Sequence, residues 1–379
     1  MRIGIVAGEA SGDFLAAGLI AALRKRVPGL HAEGVAGPHM KAAGCEVLCP
    51  VEKLAVMGLV EVLAHYRELH ALRRRLIRHF IENPPDVFIG VDAPDFNLGL
   101  ERALRRAGTR TVHYVSPTVW AWRRYRLRRM AGSVDLVLTL YPFEEAVYRE
   151  ARVPAVCVGH PLADRIPEQP DRDAARARLG LEGGQPLVAL LPGSRVTEVA
   201  RLADAFLGAA AFIAGRRPEV SFAASFISDR TESLFRERLA RSGVAGLPLH
   251  IFRGRSHDVL EASDAALLAS GTAALEAMLF KRPMVVAYRM HWLTFRVVKA
   301  LVSVRHAAMP NLLAGRTVVP ELLQDDCTPE RLGAAVLRWL EEPAAVEELS
   351  KTFSDIHGDL RRGASDRAAD AILGLTGAA

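Results

Sequence analysis

The alternation of short apolar runs with helix-length stretches constrains the fold of this 379-residue chain more than any other feature. The runs are of strand length and almost continuously apolar. Strands of that kind, separated by helices, are typical of a parallel sheet covered on both faces. In the first half we predict strands at Ile3–Ala7, Val87–Val91, Thr111–Val115, Leu136–Leu140 and Ala155–Val158.

The same pattern restarts after residues 166–185, which are polar and rich in Arg, Asp and Pro and therefore predict a linker. The second set of predicted strands is Leu187–Leu191, Val220–Ser225, Leu249–Ile251, Ala265–Leu268 and Met284–Tyr288. A chain of this length usually needs more than one core. We predict an α/β chain with two Rossmann-like, doubly wound domains, at 1–165 and 186–340, and a helical C-terminal tail at 341–379.

Composition narrows the class of protein. The net charge of +6 attracts polyanions, among them nucleic acid, anionic lipid and phosphorylated small molecules. Four scattered cysteines do not form a disulfide framework, and the absence of a paired CxxC or an HExxH motif predicts no metal site. Without a signal-peptide pattern or a run of ~18 apolar residues, we expect a cytoplasmic chain with no membrane span.

Because ligands of open α/β sheets bind beyond the carboxyl ends of the strands, the loops that follow the strands are the candidate sites. The first is residues 8–13, where two glycines and a helix start accompany Glu9. A carboxylate there suits sugar hydroxyls or amides, with plain helix capping by Asp13 as the alternative.

The loop at residues 90–96 contains the candidate general base. Asp92 ends a strand so apolar that its carboxylate must emerge at the ligand edge or be buried unpaired, which is costly. Asp95 follows a proline and precedes a helix, so capping accounts for it. His113, at the end of another strand, is either a partner behind the site or an ordinary core residue.

Two loops of the second half are suited to a nucleotide diphosphate. Arg195 follows a strand and a glycine, where its forked guanidinium can bind phosphate. Residues 270–272 form a second small-residue turn before a helix. Glu276 lies one helical turn later and fits a carboxylate that accepts ribose hydroxyls, with a solvent-facing side chain as the alternative.

Residues 56–80 predict one amphipathic helix whose first half is apolar on two sides and whose second half is rich in arginine. A second patch joins tryptophans to the arginines of residues 123–129. Such surfaces bind anionic lipid headgroups or nucleic acid, and composition does not separate the two. The predicted membrane or acyl-chain contacts are Val56, Met57, Leu59, Val60, Leu63, Trp120 and Trp122.

Taken together, these loops resemble the lipid-A-disaccharide synthase family. The matching strings are collinear and spread over most of the chain: VAGEASGD (6–13), GVAGPHM (34–40), AVMGLVEVL (55–63), GVDAPDFN (90–97), HYVSPTVWAW (113–122), LLPGSR (190–195), SDAALLASGTAALEAML (263–279), MVVAYRM (284–290) and PNLLAGR (310–316). The resemblance implies a GT-B architecture, in which two Rossmann-like domains face a cleft and the second holds most of the donor nucleotide.

The resemblance also implies an activity. The family's donor is UDP-2,3-diacylglucosamine and its acceptor is 2,3-diacylglucosamine 1-phosphate (lipid X). Inversion gives a β-1,6 disaccharide and UDP without a cofactor, on the inner face of the bacterial inner membrane. Nucleic acid is then not an expected partner. A homodimer remains open, because the helical tail either crosses to a partner or packs on its own first domain.

The residues implicated fall into two sets. Those expected to act in catalysis are Glu9, Ser11 and Asp92. Those expected to bind the donor are Gly193, Ser194, Arg195, Ser270, Gly271, Thr272, Glu276 and Asn311. Two other classes of function stay open on the residues alone: a UDP-N-acetylglucosamine epimerase of the same architecture, and a non-catalytic protein that binds nucleic acid or lipid through its arginines.

Overall fold

The structure is a computed structural model that describes residues 1–54, 59–120, 125–181, 183–244, 246–292, 295–296 and 306–377, except the side chains of residues 59–66. The chain divides into two compact units. The first is Met1–Asp164 together with Asp359–Ala379, and the second is Arg165–Gly358.

The first unit is built on a seven-stranded sheet whose strand pairs are parallel. Its strands are β1 (Arg2–Ala7), β2 (His31–Ala36), β3 (Glu46–Pro50), β4 (Val87–Val91), β5 (Arg110–Tyr114), β6 (Leu136–Thr139) and β7 (Ala155–Cys157). The order β3-β2-β1-β4-β5-β6-β7 reverses between β1 and β4. In doubly wound sheets, this reversal is where ligands bind.

Helices cover both faces of this sheet. They are α1 (Ala10–Arg26), α2 (Pro38–Ala42), α3 (Leu59–Glu82), α4 (Pro94–Arg106), α5 (Arg126–Ala131), α6 (Glu144–Glu150) and α7 (Pro161–Arg165), with α16 (Ala364–Thr376) from the end of the chain. Helix α16 packs on α1, where Ile372 is fully buried and Arg26 bonds both Asp366 and Asp370 at 2.7 Å. The C-terminal helix thus completes the core of the first unit of its own chain.

The second unit repeats the design with a six-stranded sheet of order β10-β9-β8-β11-β12-β13. Its strands are β8 (Leu187–Leu191), β9 (Ser221–Phe226), β10 (Leu249–Arg253), β11 (Ala265–Ala269), β12 (Met284–Tyr288) and β13 (Glu321–Leu323). Its helices are α8 (Arg172–Leu179), α9 (Val196–Ala214), α10 (Asp229–Arg241), α11 (Ser256–Ala262), α12 (Thr272–Leu279), α13 (Met309–Ala314), α14 (Pro329–Glu341) and α15 (Pro343–Leu360). Fully buried Val188, Phe222 and Leu267 lie in its core.

The predicted fold class, two Rossmann-like α/β domains with a helical C-terminal end, is confirmed. Strands β2, β3 and β13 were not predicted, because they lack an unbroken apolar run. Glu33 interrupts β2, and its buried carboxylate accepts from Arg2 at 3.0 Å. Among the described residues, no helix combines the length and the hydropathy needed to cross a bilayer.

Candidate functional site

Two loops of the first unit meet at the point where the strand order reverses. Ala7 of β1 pairs with Val91 of β4, so the residues that follow them are neighbours. A Cβ on Gly8 would lie only 2.1 Å from the Cβ of Ala93. Glycine is therefore required at position 8, and it places the loop of Glu9 and the exposed Ser11 directly against the Asp92 loop.

The Asp92 turn is strained and firmly held. Asp92 and Ala93 both have positive φ, 53° and 44°, a region that non-glycine residues seldom occupy. The turn is fixed because the Asn97 side-chain amide donates to the Asp92 carbonyl at 2.8 Å and the Asp92 N–H donates to Tyr114 O at 2.9 Å. Both bonds are made by the Asp92 backbone, and its side chain is half-buried at the end of β4.

A fully buried pair of ionisable side chains lies behind this turn. His113 Nδ1 and Glu101 Oε1 are 2.7 Å apart, and neither side chain is exposed to solvent. Burial raises the pKa of Glu101. Burial lowers the pKa of His113, but the Glu101 carboxylate and the charge of Asp92 outweigh it, so that pKa is raised overall. The sequence left His113 open, as either a partner behind the site or an ordinary core residue, and it did not identify Glu101.

Asp13 does not cap its own helix. Its buried carboxylate accepts from the backbone N–H groups of Gly37, His39 and Met40 at 2.8, 2.9 and 3.1 Å. It therefore caps the N-terminus of α2 and ties the loop after β2 to the loop after β1. The Gly-Pro pair before α2 marks a helix start, but sequence spacing does not show which side chain caps it.

In the second unit, the loop of Gly193, Ser194 and Arg195 joins β8 to α9. Glu198 Oε2 accepts from the N–H groups of Ser194 and Arg195 at 3.0 and 3.2 Å, while its Oε1 accepts from Arg195 Nη1 at 3.1 Å. A carboxylate thus already occupies the amides at this helix start. The Arg195 side chain is 56% exposed, which leaves its guanidinium accessible to an anionic ligand.

The second loop joins β11 to α12. Gly271 and Thr272 are exposed, and Ser270 Oγ donates to Ala307 O at 3.3 Å. Glu276 Oε1 lies 3.5 Å from His257 Nε2, and this hydrogen bond raises the pKa of His257. His257 comes from α11, so its partnership with Glu276 has no signal in the sequence.

Asn311 is buried in the second unit and all four of its hydrogen-bonding positions are in use. Its amide group donates to Val319 O and Glu321 Oε1 at 2.9 and 2.6 Å, and its oxygen accepts from the N–H groups of Val318 and Val319 at 2.7 and 2.9 Å. Through these hydrogen bonds Asn311 holds the segment that follows α13 in place.

The predicted membrane contacts lie mostly beyond what the structure describes. Val56, Met57 and Trp122 are outside the described residues, as are the side chains of Leu59, Val60 and Leu63. Trp120 is described: its Nε1 donates to Glu144 Oε1 at 3.1 Å and its ring packs edge-on against Phe143. Burial raises the pKa of Glu144 to about 7.

One group among the described residues has the donors for a metal ion. His31, Glu33 and Glu46 offer ligand atoms within 4.8 Å of one another. His31 and Glu46 begin β2 and β3, whereas the Asp92 turn follows the end of β4. In a parallel sheet all strands start on one side and end on the opposite side, so this group of residues lies apart from the candidate site.

The chain matches the family model described as lipid-A-disaccharide synthetase over residues 3–372. It is 51% identical over 379 residues to a lipid-A-disaccharide synthase of Alkalilimnicola ehrlichii, covering 100% of this chain and 99% of that protein. It is 53% identical over 381 residues to one of Pseudomonas fluorescens, covering 100% and 98%.

Solved structures similar to this one share the fold at low sequence identity. The UDP-GlcNAc 2-epimerase of Neisseria meningitidis bound to UDP-GlcNAc matches with a TM-score of 0.66, at 10% identity over 99% of both chains. The calicheamicin glycosyltransferase CalG4 matches with a TM-score of 0.59, at 18% identity over 99% of this chain and 98% of that one. The family match and the full-length relatives decide between these classes: the chain belongs to the lipid-A-disaccharide synthase family of glycosyltransferases.

Proposed function

We propose that this enzyme transfers 2,3-diacylglucosamine from UDP to the 6-hydroxyl of 2,3-diacylglucosamine 1-phosphate, with inversion at the anomeric carbon. The products are the β-1,6 disaccharide 1-phosphate and UDP. Membership of the family supports the reaction class. The observation that carries the mechanism is the Asp92 turn, a strained carboxylate position at the end of β4 against the Glu9 loop.

In this mechanism Asp92 is the general base. It takes the proton of the acceptor 6-hydroxyl as that oxygen attacks the anomeric carbon, and the bond from that carbon to the UDP oxygen breaks. A single displacement converts an α-linked donor into a β-linked product. Glu9 and Ser11 bind sugar hydroxyls or amides beside Asp92. A positioned base typically contributes ~10²–10⁴-fold to the rate.

The second unit binds the donor nucleotide. Arg195 stabilises the negative charge that develops on the departing UDP, and Gly193 and the hydroxyl of Ser194 lie in the same loop. The helix start at Ser270, Gly271 and Thr272 adds a favourable dipole. Glu276 accepts the ribose hydroxyls. Asn311 acts by positioning, because its amide is fully committed to the backbone and to Glu321.

Peripheral membrane attachment follows from the substrates, since both carry acyl chains. The apolar and arginine-rich sides of residues 56–80 suit an interfacial helix, and we place the enzyme on the inner face of the inner membrane.

The test is release of UDP from UDP-2,3-diacylglucosamine in detergent, measured with and without lipid X. We expect release only when lipid X is present, and we expect Asp92→Asn to lose about 10²–10⁴-fold in turnover with donor affinity kept. An active Asp92→Asn enzyme would remove Asp92 from the base role. UDP-N-acetylglucosamine epimerised in the absence of any acceptor would contradict the transferase.

A further inference from the structure

Two arginine-rich segments that are about fifty residues apart in the sequence converge on one cavity of the first unit. The cavity measures about 200 Å³ and lies between α3, α4 and α5. Its walls contain four arginines and one carboxylate: Arg73, Arg102, Arg126, Arg129 and Asp95. We call it the arginine pocket.

The arginine pocket has a surplus of positive charge. Asp95 neutralises one guanidinium, because Arg126 Nη2 donates to both of its oxygens at 2.7 and 2.8 Å. Arg73 Nη1 makes only a long contact of 3.4 Å to the backbone carbonyl of Asp95. Within the part of the chain described, Arg102 has no hydrogen bond or ion pair. Among the described residues that line the pocket, four cations therefore surround one anion, and a bound anion would balance the remaining charge.

The geometry of the arginine pocket is built by the fold. The Arg126 side chain is only 6% exposed, so its guanidinium is held in place and loses little freedom when it binds. Gly99 forms part of the wall, and a Cβ there would lie 2.9 Å from Arg73 Nη1. A glycine at this position on α4 gives the Arg73 guanidinium the room to face the cavity.

The arginine pocket adjoins the candidate base. Pro94 and Asp95, two of its wall residues, directly follow the Asp92–Ala93 turn. An acceptor whose hydroxyl reaches Asp92 would therefore bind beside the start of α4, whose first residues form part of the wall of the arginine pocket. Arginine is the side chain best suited to phosphate oxygens, since its planar fork can donate two parallel hydrogen bonds.

We propose that the arginine pocket binds the phosphate monoester of the acceptor and so selects a phosphorylated sugar lipid as the nucleophile. This inference rests on the proposed function, because it assigns a role to the acceptor's 1-phosphate. A concave pocket with a buried arginine fits a single phosphate group better than the flat array of headgroups at a bilayer surface.

The test compares Arg102→Gln and Arg73→Gln with the matched control Arg106→Gln, an exposed arginine of α4 outside the pocket. We expect the KM for lipid X to rise about 10–100-fold in the two pocket variants, as for a lost charge-assisted hydrogen bond, while the donor KM and the control stay unchanged. With 2,3-diacylglucosamine, which lacks the phosphate, as the acceptor, the pocket variants and the wild type should have the same low activity.

An equal loss on the unphosphorylated acceptor would overturn the assignment. So would weaker sedimentation with phosphatidylglycerol vesicles at an unchanged KM for lipid X, since the pocket would then bind bilayer headgroups. Direct binding separates this inference from the reaction itself. Broadening of the phosphorus NMR signal of glucosamine 1-phosphate by the wild type, and not by Arg102→Gln, supports the pocket even if no UDP is released, and no broadening contradicts it.

Discussion

His113 Nδ1 and Glu101 Oε1 lie 2.7 Å apart in the interior of the first unit, with neither side chain exposed. Room for the pair is made by Gly90, where a Cβ would lie 2.1 Å from Glu101 Oε1. Gly90 pairs with His113 across β4 and β5, and it precedes Asp92 by two residues. Strand β4, which Asp92 directly follows, therefore has a glycine where the buried Glu101–His113 pair needs the space.

Removing either member of this pair should destabilise the first unit. We expect Glu101→Ala and His113→Ala each to lower the free energy of unfolding by about 1–3 kcal/mol, because alanine leaves the buried partner without its hydrogen bond. The double variant should cost less than the sum of the two, by about 0.5–3 kcal/mol. Denaturant unfolding measures all three, with Glu82→Ala, a truncation at an exposed glutamate, as control. Strictly additive losses would show that the two residues are not coupled.

Glu144 should make stability depend on pH. Its folded pKa is raised by burial to about 7 from an ordinary value near 4.5. A raised pKa in the folded state means that its stabilising contribution is present below about pH 4.5, falls as the pH rises, and is lost above about pH 7. The free energy of unfolding should fall by on the order of 3 kcal/mol across this range, since each pKa unit corresponds to about 1.4 kcal/mol.

The measurement is denaturant unfolding of the wild type and Glu144→Gln between pH 5 and 8. Glutamine cannot ionise, so the variant should lack this part of the pH dependence while its oxygen still accepts from Trp120 Nε1. Parallel curves for the two proteins would show that Glu144 does not titrate in this range.

Gly8→Ala tests the contact between the two loops at the candidate site. The new methyl group would meet the Ala93 Cβ at 2.1 Å, and overpacking of this kind typically costs about 1–3 kcal/mol. Adding Ala93→Gly should recover much of that loss, since it removes the opposing atom and places glycine at a positive φ. Unfolding and UDP release are measured on both. A double variant no better than Gly8→Ala would place the strain elsewhere.

Most of the fold was predictable because buried parallel strands are apolar along their whole length. Strands β4, β8 and β12 are such runs, and they were predicted with the bounds that the structure gives. Two of the strands that were not predicted, β3 and β13, lie at sheet edges and lack this signal. β3 is largely exposed, and β13 has only three residues, all half-buried.

The candidate site was predictable only where position along a strand determines it. Asp92 and Arg195 both follow apolar strands, and this alone places them at the ligand edge of their sheets. Partners from other elements give no such signal. Glu101 reaches His113 from α4, and Arg102 and Arg126 share a pocket although they belong to different helices. Such pairs depend on packing between helices, which a single sequence does not specify.

Arg195→Gln should separate donor chemistry from folding. The guanidinium is 56% exposed and its bond to Glu198 is a surface pair, so the free energy of unfolding should change by no more than about 0.5 kcal/mol. UDP release should fall about 10²–10³-fold, because a donor aimed at the developing charge of the diphosphate is lost. Arg201→Gln, an exposed arginine further along α9, is the control and should keep full activity. Full activity in Arg195→Gln would show that UDP departs without this guanidinium, and the helix start at Ser270, Gly271 and Thr272 would then have to stabilise the leaving group.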